Sequence, residues 1–189
     1  MVCPSRLRCG GVKLWRARPF VHSPPGRHAI APIPLAAVPP EAVEALLDRV
    51  FGADRHRRTA YAIRGGAAPI AEMSFAILAE GALIAALLAY PVALACDDGT
   101  RAPLVMIGPV AVVPELHGQG HGRALFAALL AAAPVDAVLM LIGDPEYYGR
   151  FGFTAARTGL WRAPGPVERH RLLARGDHVP DRAGLLGPA

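Results

Sequence analysis

A chain of 189 residues that is 53% hydrophobic and 19% charged can bury one core of ordinary size, which excludes an intrinsically disordered protein. Its formal charge of +5 misdescribes the folded part: residues 1–40 carry six basic side chains and no acid, whereas the remainder sets fourteen arginines against fifteen carboxylates. A nucleic-acid-binding face is therefore not expected, and three cysteines (Cys3, Cys9, Cys96) without zinc-ligand spacing fit a reducing, cytoplasmic setting with no metal site.

Residues 1–27 lack the unbroken apolar run of a secretory signal and are interrupted by prolines, so they read as a disordered basic extension or a non-native start. The folded domain is expected over 28–175, with 176–189 as a C-terminal tail. "HAIAPI" (28–33) reads as a first short strand. "PPEAVEALLDRVFG" (39–52) carries helix start and stop signals: proline at its first turn, Glu41 and Glu44 beside it, and Gly52 at its end. "DRHRRTAYAIRGG" (54–66) reads as a second, more polar helix closed by Gly65-Gly66.

The hydrophobic period then changes. "MSFAILAEGALIAALLAY" (73–90) reads as two strands folded about Glu80-Gly81, a hairpin turn signal. The uncharged run "GALIAALLAYPVALAC" (81–96) is shorter than the roughly 20 residues that span a bilayer and contains Pro91, so it predicts a buried strand and no membrane insertion. After a turn at "CDDGTR" (96–101) comes the strand "PLVMIGPVAVV" (103–113), then the helix "GRALFAALLAAA" (122–133) and the apolar strand "DAVLMLIG" (136–143). "DPEYYGRFGF" (144–153) predicts a short helix running into a turn, with two weaker strands near "FTAART" and "HRLLAR". The step from 103 to 143 demands a parallel, right-handed crossover. The expected class is α/β: a mixed, mostly antiparallel sheet with one parallel strand–helix–strand unit and flanking helices.

Between that strand and helix lies "PELHGQGHGRAL" (114–125). A glycine-rich loop at a helix N-terminus is an anion site, because the first amides of the helix have no internal partners and the macrodipole is positive there. Gly118, Gly120 and Gly122 would let phosphate oxygens approach those amides, and Arg123 would add a charge-assisted contact. A P-loop is excluded, since no lysine is near; a dinucleotide fingerprint is excluded by Arg123 and by Asp136, which precedes the following strand instead of ending it. His117 and His121 stand four apart, but in a glycine loop with no third ligand they read as solvated or phosphate-facing.

"VAVVPELHGQGHGRAL" resembles the acetyl-CoA signature of the GNAT superfamily of N-acetyltransferases, Gln/Arg-x-x-Gly-x-Gly/Ala after a Val-x-Pro strand end. "GDPEYYGRFGF", "RTAYAIRGGAAPIAEMSF" and "PGPVERHRLLA" are similar to its YhbS-like branch, and the likeness covers about residues 40 to 175. The departure is His117, which stands at the Gln/Arg position.

The resemblance implies a GNAT-type fold, acetyl-CoA as cosubstrate and an amine acceptor, a small molecule or a peptide. It implies that the backbone of Val110, Ala111 and Val112 pairs with the pantetheine arm. His117, Gly118, Gln119, Gly120, His121, Gly122 and Arg123 would then surround the pyrophosphate. Gly108-Pro109 is where the signature strand would part from its neighbour. It further implies that Tyr148, at Tyr-x-x-x-Gly-Phe spacing, protonates the leaving thiolate. A tyrosine near 10 facing a thiol near 8.5 makes full transfer cost about 2 kcal/mol, so hydrogen bonding to sulfur is the expected role.

The signature strand (102–114) holds no ionisable side chain, which leaves Glu72 and Glu80 as candidate bases. A non-catalytic acyl-CoA-binding module is the alternative reading, and Tyr148 favours the enzyme. Arginines in 54–70 and 160–175 hint at an anionic acceptor. The sequence leaves the oligomeric state open, a homodimer included.

Overall fold

One long hairpin organises the sheet of the computed structural model, which describes residues 31–189. The extension at 1–27 and the first half of the strand expected at 28–33 lie outside the described residues. Strand β2 (Phe75–Ala79) turns into β3 (Ala82–Cys96) through Glu80 and Gly81, whose φ values of 49° and 80° are both left-handed, as a two-residue hairpin turn of the I′ kind requires. Strand β4 (Arg101–Val112) returns antiparallel along β3.

Strand β1 (Ile33–Pro34) extends the β2 edge. Helices α1 (Pro40–Phe51) and α2 (Thr59–Arg64) lie between β1 and β2 in sequence, and α3 (His121–Ala132) carries the chain from β4 to β5 (Leu139–Ile142). The β4–β5 pair is parallel, as the crossover requires. After the short helix α4 (Pro145–Tyr148) come β6 (Trp161–Arg162), β7 (Leu172–Arg175), which is antiparallel to β5, and β8 (Gly184–Pro188). The order along the sheet is β1-β2-β3-β4-β5-β7. β2 pairs with the first half of β3, β8 with the second half, and β6 runs parallel to β8. Residues 176–189, set apart in the sequence as a tail, thus hold a strand of the sheet.

Every residue of β3 from Ile84 to Tyr90 is buried, so both faces of the strand are covered. Helix α1 contributes Val43, Leu46 and Leu47, one apolar face at helical spacing, and α3 contributes Leu125, Phe126 and Leu129. The uncharged run at 81–96 is therefore core strand, and no helix among the described residues is long and apolar enough to cross a membrane.

Two local expectations are corrected. The helix expected over 54–66 is a 3₁₀ turn (Ala53–Arg57) followed by α2, because Arg58 is extended (φ −71°, ψ 145°). Arg55 reaches back to Asp48 at 2.8 Å and to Glu44, and that ion cluster bends the chain where local propensity alone would continue a helix. Near "FTAART" only a single bridge forms, between Thr154 and Ala174.

Candidate active site

β4 and β5 stay paired only at Val105–Leu139 and Met106–Met140. Beyond Met106 they part, at the Gly108-Pro109 pair, where the register of β4 against β3 also shifts between Leu87 and Ala89. Proline has no N–H to give to a ladder, so the break coincides with a residue that could not have continued it.

The alternation of strand groups decides what the open edge presents. Val113 N–H donates to Ile84 O at 2.9 Å, which turns Val113 and Ala111 toward β3 and leaves the backbone groups of Val110 and Val112 facing the gap. Ala111, fully buried, thus spends its backbone on the β3 ladder. A cavity of about 770 Å³ opens here, walled by Met106 to Val110 on one side, Leu141 and Ile142 on the other, and Tyr148.

At the end of β4 a short turn (Pro114–Leu116) leads into the glycine loop. His117, at the departing signature position, bonds through Nε2 to the Val112 carbonyl at 2.9 Å, tying the loop back to the strand and leaving the Val112 N–H free. Gly118 and Gly120 have φ of 78° and 89°, and a Cβ at either would meet nothing within 4 Å. Gly120 is the N-cap of α3 with no side-chain cap, and the N–H groups of His121, Gly122 and Arg123 have no hydrogen-bond partner among the described residues. Gln119 and Arg123 are exposed, and His121 and Gly122 half-buried. A Gly122 Cβ would lie 3.4 Å from the Tyr147 hydroxyl, which places that phenol beside the helix start. The only sequence signal for Tyr147 is its place beside Tyr148.

Tyr148 is set by α4. Pro145 opens that helix, and the Asp144 side chain caps it by accepting from Glu146 N–H at 2.9 Å. The Tyr148 ring packs against Phe126 (5.3 Å between centroids) and Phe153 (6.5 Å) and crosses Gly143. Burial, with Tyr147 adjacent, pushes its phenol up to about 12, partly offset by the positive charge of Arg171. The group is a hydrogen-bond donor throughout the neutral range.

Glu72 and Glu80, the candidate bases, do not line the cavity; Glu168 is the one carboxylate among its lining residues and contacts His170 at 3.3 Å. The same walls carry Arg57, Arg58, Arg64 and Arg171, the last a neighbour of Glu168 whose N–H donates to the Glu168 carbonyl at 2.9 Å.

The arrangement fits a thioester of coenzyme A on physical grounds: a free strand edge for amide pairing, an uncapped helix start behind glycines that leave no Cβ in the way, and the Tyr148 side chain in the wall of the adjoining cavity.

Comparison with known proteins gives the family and the fold. The model of the GNAT acetyltransferase domain matches residues 40–156. The fold is similar to that of the GNAT family N-acetyltransferase YhbS from Escherichia coli, solved in complex with CoA. The two are 24% identical with a TM-score of 0.62, over 83% of this chain and 86% of that one. An acyl-CoA N-acyltransferase from Pseudomonas aeruginosa is 20% identical over 77% of this chain and 97% of its own, with a TM-score of 0.49. A GNAT family acetyltransferase from Brucella melitensis, in complex with acetyl-CoA, is 24% identical over 77% of this chain and 95% of its own, with a TM-score of 0.45. No curated protein matches. The family match runs from α1 past the aromatic cluster after α4, over more than half of the chain, and the chain belongs to the GNAT acetyltransferase domain family.

Proposed function

We propose that the protein is an N-acetyltransferase that moves an acetyl group from acetyl-CoA directly to an amine. When bound, acetyl-CoA supplies an activated acyl group as its thioester. The free N–H groups of Val110 and Val112 hold the pantetheine arm as an added strand, and one of them polarises the thioester carbonyl from a fixed position. The N–H groups of Gly118 and of Gly120 to Arg123 take the diphosphate, that of Gln119 being spent on the Leu116 carbonyl, and His117 keeps the loop in register with the strand. Tyr148 donates its O–H to the sulfur. With its phenol near 12 and a thiol near 8.5, complete proton transfer would cost about 5 kcal/mol, so the bond stabilises the departing sulfur without surrendering the proton. An ordinary amine must lose a proton at a cost of about 4.6 kcal/mol at pH 7. Glu168 is the lining carboxylate that can take it.

The observation that carries this reading is the gap beyond Met106, with a free strand edge on one wall and the Tyr148 hydroxyl side chain on another. Acetyl-CoA consumption measured across a panel of amines tests it. Turnover with at least one amine is expected. Tight acetyl-CoA binding with no turnover on any acceptor would instead identify an acyl-CoA-binding module.

A further inference from the structure

We propose that Arg64 binds a carboxylate or phosphate of the acceptor, so that the substrate carries an oxyanion as well as its amine. The inference rests on the acetyl-transfer reading for the identity of the ligand, and on the following geometry for the site. Arg64 ends α2 and is only 7% exposed. Its guanidinium is clamped between two rings, 3.6 Å from the Tyr61 centroid and 4.3 Å from the Tyr90 centroid.

The neighbouring Arg55 shows how this fold treats a buried cation that belongs to the scaffold. It is 2% exposed, and Asp48, Glu44 and the Tyr61 hydroxyl engage its guanidinium. Arg64 has no carboxylate partner and no side-chain hydrogen bond among the described residues.

A buried charge left unpaired costs several kcal/mol unless something solvates it. Ring faces on both sides stabilise the cation but satisfy none of its five N–H donors. Among the described residues no sealed side-chain nitrogen or oxygen lacks a partner, so the donors keep some access to solvent; Arg64 lines both the cavity that also holds Tyr148 and a neighbouring one of about 600 Å³ that contains Glu44. With two rings against the cation, what it still offers is its N–H fork, the geometry that grips a planar or tetrahedral oxyanion with two bonds.

The surroundings add to this. Arg57 and Arg171 line the same cavity without a carboxylate partner among the described residues, and Glu168 is the only acid there. The diphosphate of coenzyme A is not the anion in question. Its proposed seat is the loop before α3, and no residue of that loop lines this cavity. An acceptor anchored by its anion at Arg64 would present its amine toward Tyr148.

The test uses the full protein saturated with coenzyme A, which fills the glycine loop. Calorimetric titration compares N-acetylglycine and inorganic phosphate with the neutral N-acetylglycinamide. The anions are expected to bind about tenfold or more tightly than the amide, and the stronger of the two names the acceptor's anion. Arg64→Met should remove that preference and leave coenzyme A affinity unchanged, which also certifies its fold. Arg64→Lys, which keeps charge but not the fork, should weaken anion binding by a smaller factor. Equal binding of anion and amide, or anion binding retained in both variants, overturns the proposal. Turnover on neutral amines without any anion preference would leave the transferase reading intact and sink this one. Anion binding at Arg64 without turnover on any amine would do the reverse.

Discussion

The ring of Tyr148 lies across Gly143 so closely that a Cβ there would stand 2.2 Å from Tyr148 Cε2 and 2.6 Å from Cδ2. Gly143 needs no left-handed backbone; it is glycine because the phenol occupies the space of a side chain. Gly143→Ala must displace the ring, which Phe126 and Phe153 hold from other sides. A shift near 1 Å at a reacting centre can cost about 100-fold. We expect kcat to fall roughly 10- to 100-fold with coenzyme A affinity nearly unchanged, measured by steady-state kinetics beside calorimetry; unchanged kcat would remove the ring from the mechanism.

His117 tests the loop from the other side. Its bond to the Val112 carbonyl is exposed, so its net worth is about 0.5–1.5 kcal/mol. His117→Ala should weaken coenzyme A binding by about 2- to 10-fold and leave kcat alone. An unaltered dissociation constant would mean that the histidine does not hold the loop to the strand.

Gly120 separates backbone strain from crowding. A Cβ there meets no atom, but φ is 89°, where an L side chain costs about 1–2 kcal/mol. Gly120→Ala should therefore relax the loop and raise the coenzyme A dissociation constant about tenfold. Gly159→Ala, in open space with no left-handed φ, serves as the control and should leave binding as it is.

The pH profile follows from the raised phenol. Because burial moves Tyr148 up to about 12, its donor form persists through the working range. kcat/KM should rise with pH as the amine deprotonates and show no falling limb between pH 7 and 10. A falling limb near 9–10 that disappears in Tyr148→Phe would contradict the assigned donor state.

Much of the architecture is legible in local chemistry. Glu80-Gly81 marks the hairpin, proline and glycine bracket α1, and the apolar run at 136–143 marks the strand that needs a parallel partner. Pro91 shows how an apparent breaker is accommodated. Val105, opposite it, donates its N–H to Val138, so this pair makes no bond between β3 and β4. The missing proline N–H instead faces the edge where the β2 ladder has ended at Leu87 and the β8 ladder has not begun at Val92.

The glycine loop and Tyr148 are legible because their spacing is local. What the sequence does not disclose is how the chain folds back on itself: Arg55 onto Asp48 and Glu44, breaking the expected helix, and the Tyr148 ring onto Gly143, both over short spans, and Arg64 against Tyr90 of β3, over a long one. Glu168 escaped notice for the same reason, since it reaches the cavity from a segment far along the chain.

The most direct measurement of the central claim is acetyl transfer by Tyr148→Phe, read as kcat and acetyl-CoA affinity in the same preparation. The account predicts a kcat at least tenfold lower, the loss of one hydrogen bond to a developing charge, with acetyl-CoA affinity within about twofold of the wild type. Equal kcat in the two proteins would contradict it.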